Sequence, residues 1–72
     1  MEALEHLAQN IIRLRKEQGI SQEDFAAKSH VSTRYLSAIE TAGANPSFHV
    51  LERIAKAFGI TLEQLMHFSD DQ

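Results

Sequence analysis

An all-α fold of five short helices is what this 72-residue sequence predicts, and three observations predict it. Apolar residues recur three and four apart along most of the chain, the period of a helix with one buried face. A hydroxyl residue precedes four of the periodic segments (Ser21, Ser32, Ser47 and Thr61), in the position of an N-cap. Glycines close two of them, Gly19 and Gly59, as residues just past a helix end do. No strand can be read.

The first helix is expected from about Ala3 to Gln18, with Leu4, Leu7, Ile11 and Leu14 on one stripe and Gly19 ending it. Ser21 caps the second, which carries Phe25 and Ala26 inward, and Ser21 with Asp24 forms an approximate capping box. Ser32 caps the third, which ends near Thr41. The longest loop follows, TAGANPS, marked by Gly43 and by the turn dipeptide Asn45-Pro46. Ser47 then caps a fourth helix that turns Val50, Leu51, Ile54, Ala55 and Phe58 inward up to Gly59. Thr61, with Gln64 three residues on, opens a short fifth helix whose apolar face is Leu62, Leu65 and Met66. A single domain over residues 1–72 is expected, with no internal repeat or linker and with fraying confined to Ser69–Gln72.

The segment Ser21–Glu40, SQEDFAAKSHVSTRYLSAIE, has the layout of a helix-turn-helix, the motif placed at about residues 22–41. Ala26 is small where two crossing helices approach most closely, and Val31 is apolar just after the turn. Leu36 and Ile39 share the inner face of the second helix of the motif. That leaves Thr33, Arg34, Ser37 and Ala38 outward, short enough apart from the arginine to let a helix lie deep in a major groove. Sequence-specific DNA binding is the function such a face implies.

Composition bounds the alternatives. A core of this size yields only about 3–5 kcal/mol of stability without help from a disulfide, metal or partner subunit. The sequence has no cysteine, so disulfides and thiolate metal sites are excluded. The N-terminal MEALEHLAQN is acidic and amphipathic, unlike a signal peptide, and no apolar run is long enough to span a membrane. A soluble, cytoplasmic protein is therefore expected. The net charge of −3 runs against nucleic-acid binding, because non-specific affinity comes from Lys and Arg neutralising phosphates. Its distribution softens that objection. Residues 10–48 hold Arg13, Arg15, Lys16, Lys28 and Arg34 against Glu17, Glu23, Asp24 and Glu40, five against four, while Glu2, Glu5, Glu63, Asp70 and Asp71 put acid at the two ends.

Several linked elements stand in order: IRLR at Ile12–Arg15, Gly19-Ile20-Ser21-Gln22, Ala26 and Val31 around the turn, YLSAIE at Tyr35–Glu40, Asn45-Pro46-Ser47, and LERIAKAFGI at Leu51–Ile60. Over roughly Leu7 to Phe68 they resemble the Cro and phage-repressor type of helix-turn-helix regulator, also called XRE-like. Each alone is weak; together and in order they are specific. The resemblance implies a five-helix, lambda-repressor-like DNA-binding domain that binds operator DNA as a dimer and represses or autoregulates transcription. Regulators of phages and plasmids and the controller proteins of restriction–modification operons are of this kind. The sequence also departs from the pattern. His30 occupies the usual turn-glycine position, which needs φ > 0. The loop that is commonly basic reads Thr41-Ala42-Gly43-Ala44, and Thr33 and Ala38 occupy positions that are often basic.

On that resemblance Thr33, Arg34, Ser37 and Ala38 are the candidate base contacts, Arg34 as a bidentate partner of guanine. Gln22, Ser32, Tyr35, Asn45, Ser47 and Phe48 are the candidate phosphate contacts, the last two through backbone amides at a helix start. The plainer alternatives are a solvated arginine, a merely small helix face, an ordinary first-turn glutamine and a half-buried packing tyrosine. Arg15 and Glu40 match a family pair that forms a partly buried salt bridge, a structural role. Leu62, Met66 and Phe68 are the candidate dimer interface, with intramolecular packing as the alternative. His6, His30, His49 and His67 lie on different elements with no ligand spacing, so no metal is expected. No cofactor, small-molecule ligand or catalytic constellation is expected either. A second function stays open on the acidic charge and the alanine-rich loop: a protein-interaction module on the same fold, an antitoxin or anti-repressor partner with weak DNA binding.

Overall fold

The computed structural model describes residues 2–67 and contains five helices: α1 Glu2–Glu17, α2 Gln22–Ser29, α3 Thr33–Glu40, α4 Phe48–Phe58 and α5 Leu62–Leu65. Each begins within a residue or two of where the sequence places it, and α1, α3 and α4 end within a residue of the expected position. The four hydroxyl residues act as expected. Ser21, Ser32, Ser47 and Thr61 hold extended backbone conformations, and their side-chain oxygens accept from the N–H groups of Asp24, Tyr35, Val50 and Gln64. At α5 the exchange is reciprocal, Gln64 Oε1 accepting from the Thr61 N–H at 2.9 Å.

The helix C-termini share one device. After α1, α2, α3 and α4 the chain makes the same pair of bonds, in which two successive N–H groups reach back over the last turn. At α2 these are His30 N–H to Ala27 O (3.2 Å) and Val31 N–H to Ala26 O (3.0 Å); at α3 they are Ala42 N–H to Ile39 O (3.1 Å) and Gly43 N–H to Ala38 O (2.8 Å). The first residue of each pair is left-handed. Two are glycine, and two are not: His30 at φ 61° and Ala42 at φ 59°. The sequence flags His30 but directs attention to Gly43 in the next loop, whereas the left-handed residue there is Ala42.

The core joins Leu7 and Ile11 of α1, Phe25 and Ala26 of α2, Leu36 and Ile39 of α3, Val50, Ile54, Ala55 and Phe58 of α4, and Leu65 of α5. Phe25 stacks on Phe58 with ring centroids 4.1 Å apart and planes inclined by 20°. Leu4, Leu14 and Leu51, expected inward, are half-buried, the latter two packed against the core. Helix α1 packs on α3 and α5, α2 on α3 and α4, and α4 on α5. Two side-chain amides, one on α1 and one just past its end, complete the far ends of other helices: Asn10 Nδ2 donates to Leu65 O (2.9 Å) and His67 O (3.1 Å), and Gln18 Nε2 donates to Phe58 O (3.1 Å). Orphan C-terminal carbonyls of α4 and α5 are satisfied in this way. Among the described residues no helix is long and apolar enough to cross a membrane.

Candidate nucleic-acid interface

The inner face of α3 is fixed by Leu36, Ile39 and Glu40, all buried, and this decides what the outer face shows. Thr33 and Arg34 are exposed; Ser37 and Ala38, one turn further on, are half-buried. The exposed end of the face is thus its N-terminal turn, the part of a recognition helix that meets base edges. Arg34 is the one charged side chain on this outer face. Ser32, just ahead, accepts the Tyr35 N–H at 3.0 Å through Oγ, and its own hydroxyl proton stays available to donate to a phosphate. Tyr35 is half-buried and packs against the core. Asn45, Ser47 and Phe48 are exposed, on either side of a buried Pro46, and Ser47 Oγ accepts from the Val50 N–H at 3.2 Å.

Gln22 is tied to the pair behind α3. Its Nε2 donates to Glu40 Oε1 at 3.1 Å. Arg15 Nε donates to Glu40 Oε2 at 2.9 Å, Arg15 Nη2 to Oε1 at 3.2 Å, and Arg15 Nη1 to Ile20 O at 3.0 Å. The Glu40 side chain is only 5 % exposed and that of Arg15 15 %, so the carboxylate is surrounded by donors and knits α1, α2 and α3 together. A carboxylate only accepts, so the amide nitrogen of Gln22 must face it, and the second Nε2–H remains free for a further acceptor. Nothing local in the sequence announces the Gln22–Glu40 bond, because its partners are 18 residues apart.

The cations are few and partly engaged. Arg13 pairs with Glu17 on the surface of α1 at 3.2 Å, and Arg15 is committed to Glu40. Lys16, Lys28 and Arg34 are exposed. His49 lies 3.8 Å from Glu52, one turn along α4. No three His, Cys, Asp or Glu residues among those described gather as a metal site would. Leu62 and Met66 are half-buried, each packing partly on the core while keeping surface outward; Phe68, grouped with them from the sequence, lies outside the described residues.

With this geometry in place, the likenesses to known proteins are informative. A helix-turn-helix family model matches residues 11–65. The chain is 46 % identical over 59 residues to the control protein C.MunI of Mycoplasma sp., covering 81 % of this chain and 77 % of that one. It is 37 % identical over 62 residues to the uncharacterized HTH-type transcriptional regulator y4dJ of Sinorhizobium fredii, covering 86 % of this chain and 80 % of that protein. Its fold matches the crystal structure of the restriction–modification controller protein C.AhdI from Aeromonas hydrophila with a TM-score of 0.87 at 28 % identity, over 90 % of this chain and 98 % of that one. These relatives are control proteins and transcriptional regulators.

Proposed function

This chain belongs to the Cro and phage-repressor type, XRE-like family of helix-turn-helix transcriptional regulators, and from that premise we propose that it is a repressor or autoregulator acting on a pseudo-palindromic operator as a dimer, in the manner of a restriction–modification controller. Sequence-specific DNA binding comes with the family. The single observation behind the finer reading is the α3 surface: a capped, exposed first turn carrying Thr33 and Arg34, with small residues Ser37 and Ala38 behind. In this reading those four meet base edges. Gln22, Ser32, Tyr35, Asn45 and the Ser47–Phe48 backbone hold phosphates, and residues 1–72 work as one DNA-binding unit with its motif at about 22–41.

Arg34→Ala is expected to lower affinity for the operator by about 1–3 kcal/mol and to relax preference at one base pair, with the fold intact. Gel shifts against the DNA upstream of the chain's own gene and against random DNA, at low and moderate salt, measure this. Equal loss on both DNAs makes Arg34 a phosphate contact. If the wild-type chain gives no specific complex at either salt, the reading passes to a protein-interaction module.

Dimerisation follows from the shortage of cations. One such module reads a short half-site and holds DNA weakly, whereas two copies on one rigid body double the contacts. The surfaces of Leu62 and Met66 left outside the core are the candidates for the two-fold contact, setting two α3 helices about 34 Å apart, one turn of B-DNA. Sedimentation equilibrium at tens of micromolar is expected to report a dimer for the wild type and a monomer for Met66→Asp. A wild-type monomer, or a Met66→Asp variant that associates unchanged, removes α5 as the interface.

A further inference from the structure

Phe48 is the one exposed large hydrophobic residue among the described residues, at 60 %. It lies outside the buried core. Helix α4 buries Val50, Ile54, Ala55 and Phe58; position 48, seven residues before Ala55, sits in the first turn at the edge of that stripe, where the residue stays mostly in solvent. It directly follows exposed Asn45 and Ser47, on the stretch assigned to the DNA backbone, and the whole Thr41–Ser47 loop carries no Lys or Arg. Hydrogen bonds from Asn, Ser and backbone amides to phosphate release no condensed counterions. A loop built this way therefore gains little from the ionic source that usually supplies backbone affinity.

DNA backbone is not only phosphate. The deoxyribose between successive phosphates presents a C–H surface that an aromatic ring can cover and dry. We infer that the Phe48 ring packs against operator deoxyribose beside the phosphate held by Asn45 and Ser47, a non-ionic contact that takes the place of the absent loop cations. The inference rests on the DNA-binding reading above and adds to it a side chain whose contribution is apolar, independent of base sequence and insensitive to salt.

The experiment is a salt titration of binding by Phe48→Ala and by wild type, on operator and on random DNA. Loss of a partly covered ring is expected to weaken both complexes by the same factor, about fivefold. The slope of log K against log salt stays at the wild-type value, since no ion-releasing contact is removed. Thermal midpoint and self-association also stay unchanged. A Phe48→Lys variant is expected to steepen the slope by about 0.9, which places position 48 within reach of phosphate. Wild-type affinity for Phe48→Ala overturns the inference, and if regulation is then lost in cells the ring belongs to a protein partner. A loss confined to the operator overturns it in favour of a base contact. A wild-type chain that binds no DNA overturns the function above, and the inference with it.

Discussion

Replacing Glu40 by alanine is expected to cost about 3–5 kcal/mol of folding free energy, the range for removing one partner of a buried ion pair. The size comes from what is left behind rather than from the strength of the pair. Arg15 loses its bidentate carboxylate while its side chain remains only 15 % exposed, and its desolvated charge keeps one bond, to Ile20 O. Gln22 loses its acceptor as well. A domain of this length has about 3–5 kcal/mol in total, so Glu40→Ala is expected to be largely unfolded at room temperature. Glu40→Gln, which keeps an acceptor oxygen but removes the countercharge, falls between the two. Urea unfolding followed by circular dichroism checks this. An unchanged midpoint for Glu40→Ala would show that Arg15 finds compensation in solvent. Base preference, measured on the fraction that folds, is expected to be unaltered.

Phe25→Ala carries a loss of similar size by a different mechanism. The ring is wholly buried and stacks on Phe58, joining the first helix of the DNA-binding motif to α4. Truncation removes the transfer free energy of the ring and leaves a cavity that a five-helix core closes only in part, about 3–5 kcal/mol for Phe→Ala. Phe25→Leu restores most of the volume but not the stacked pair, and is expected to lose much less. The measurement is the unfolding midpoint with and without operator DNA. DNA binds only the folded form and should recover part of the Phe25→Ala population by mass action, since none of the candidate DNA contacts is touched.

What the sequence made legible, and what it did not, divides along the range of the interaction. The caps at Ser21, Ser32, Ser47 and Thr61 act within three residues of themselves, so residue type and position are enough to find them. The inner residues of α3 and α4 follow from helical period for the same reason. On the outer face of α3, period separates Thr33 and Arg34 from Leu36, but it does not tell that Ser37 and Ala38 are half-covered, because neighbouring elements decide that. The amide bonds of Asn10 and Gln18 span 55 and 40 residues; a glutamine or asparagine on a helix surface carries no local mark of the carbonyl it will find. Ala42 is illegible for a different reason. A left-handed helix end is recognised by glycine, and here the glycine comes one residue too late.

His30 and Ala42 bracket α3, one just before its cap and one just after its last turn. A side chain at a left-handed position costs roughly 1–2 kcal/mol relative to glycine, part of which returns because the unfolded chain has fewer conformations to lose. The larger consequence concerns the folded protein. Glycine would leave both ends of α3 free to pivot through conformations that a β-carbon forbids. With histidine and alanine there, the helix is presented in one orientation before any DNA arrives, and the entropy of aligning it is spent during folding rather than at the encounter.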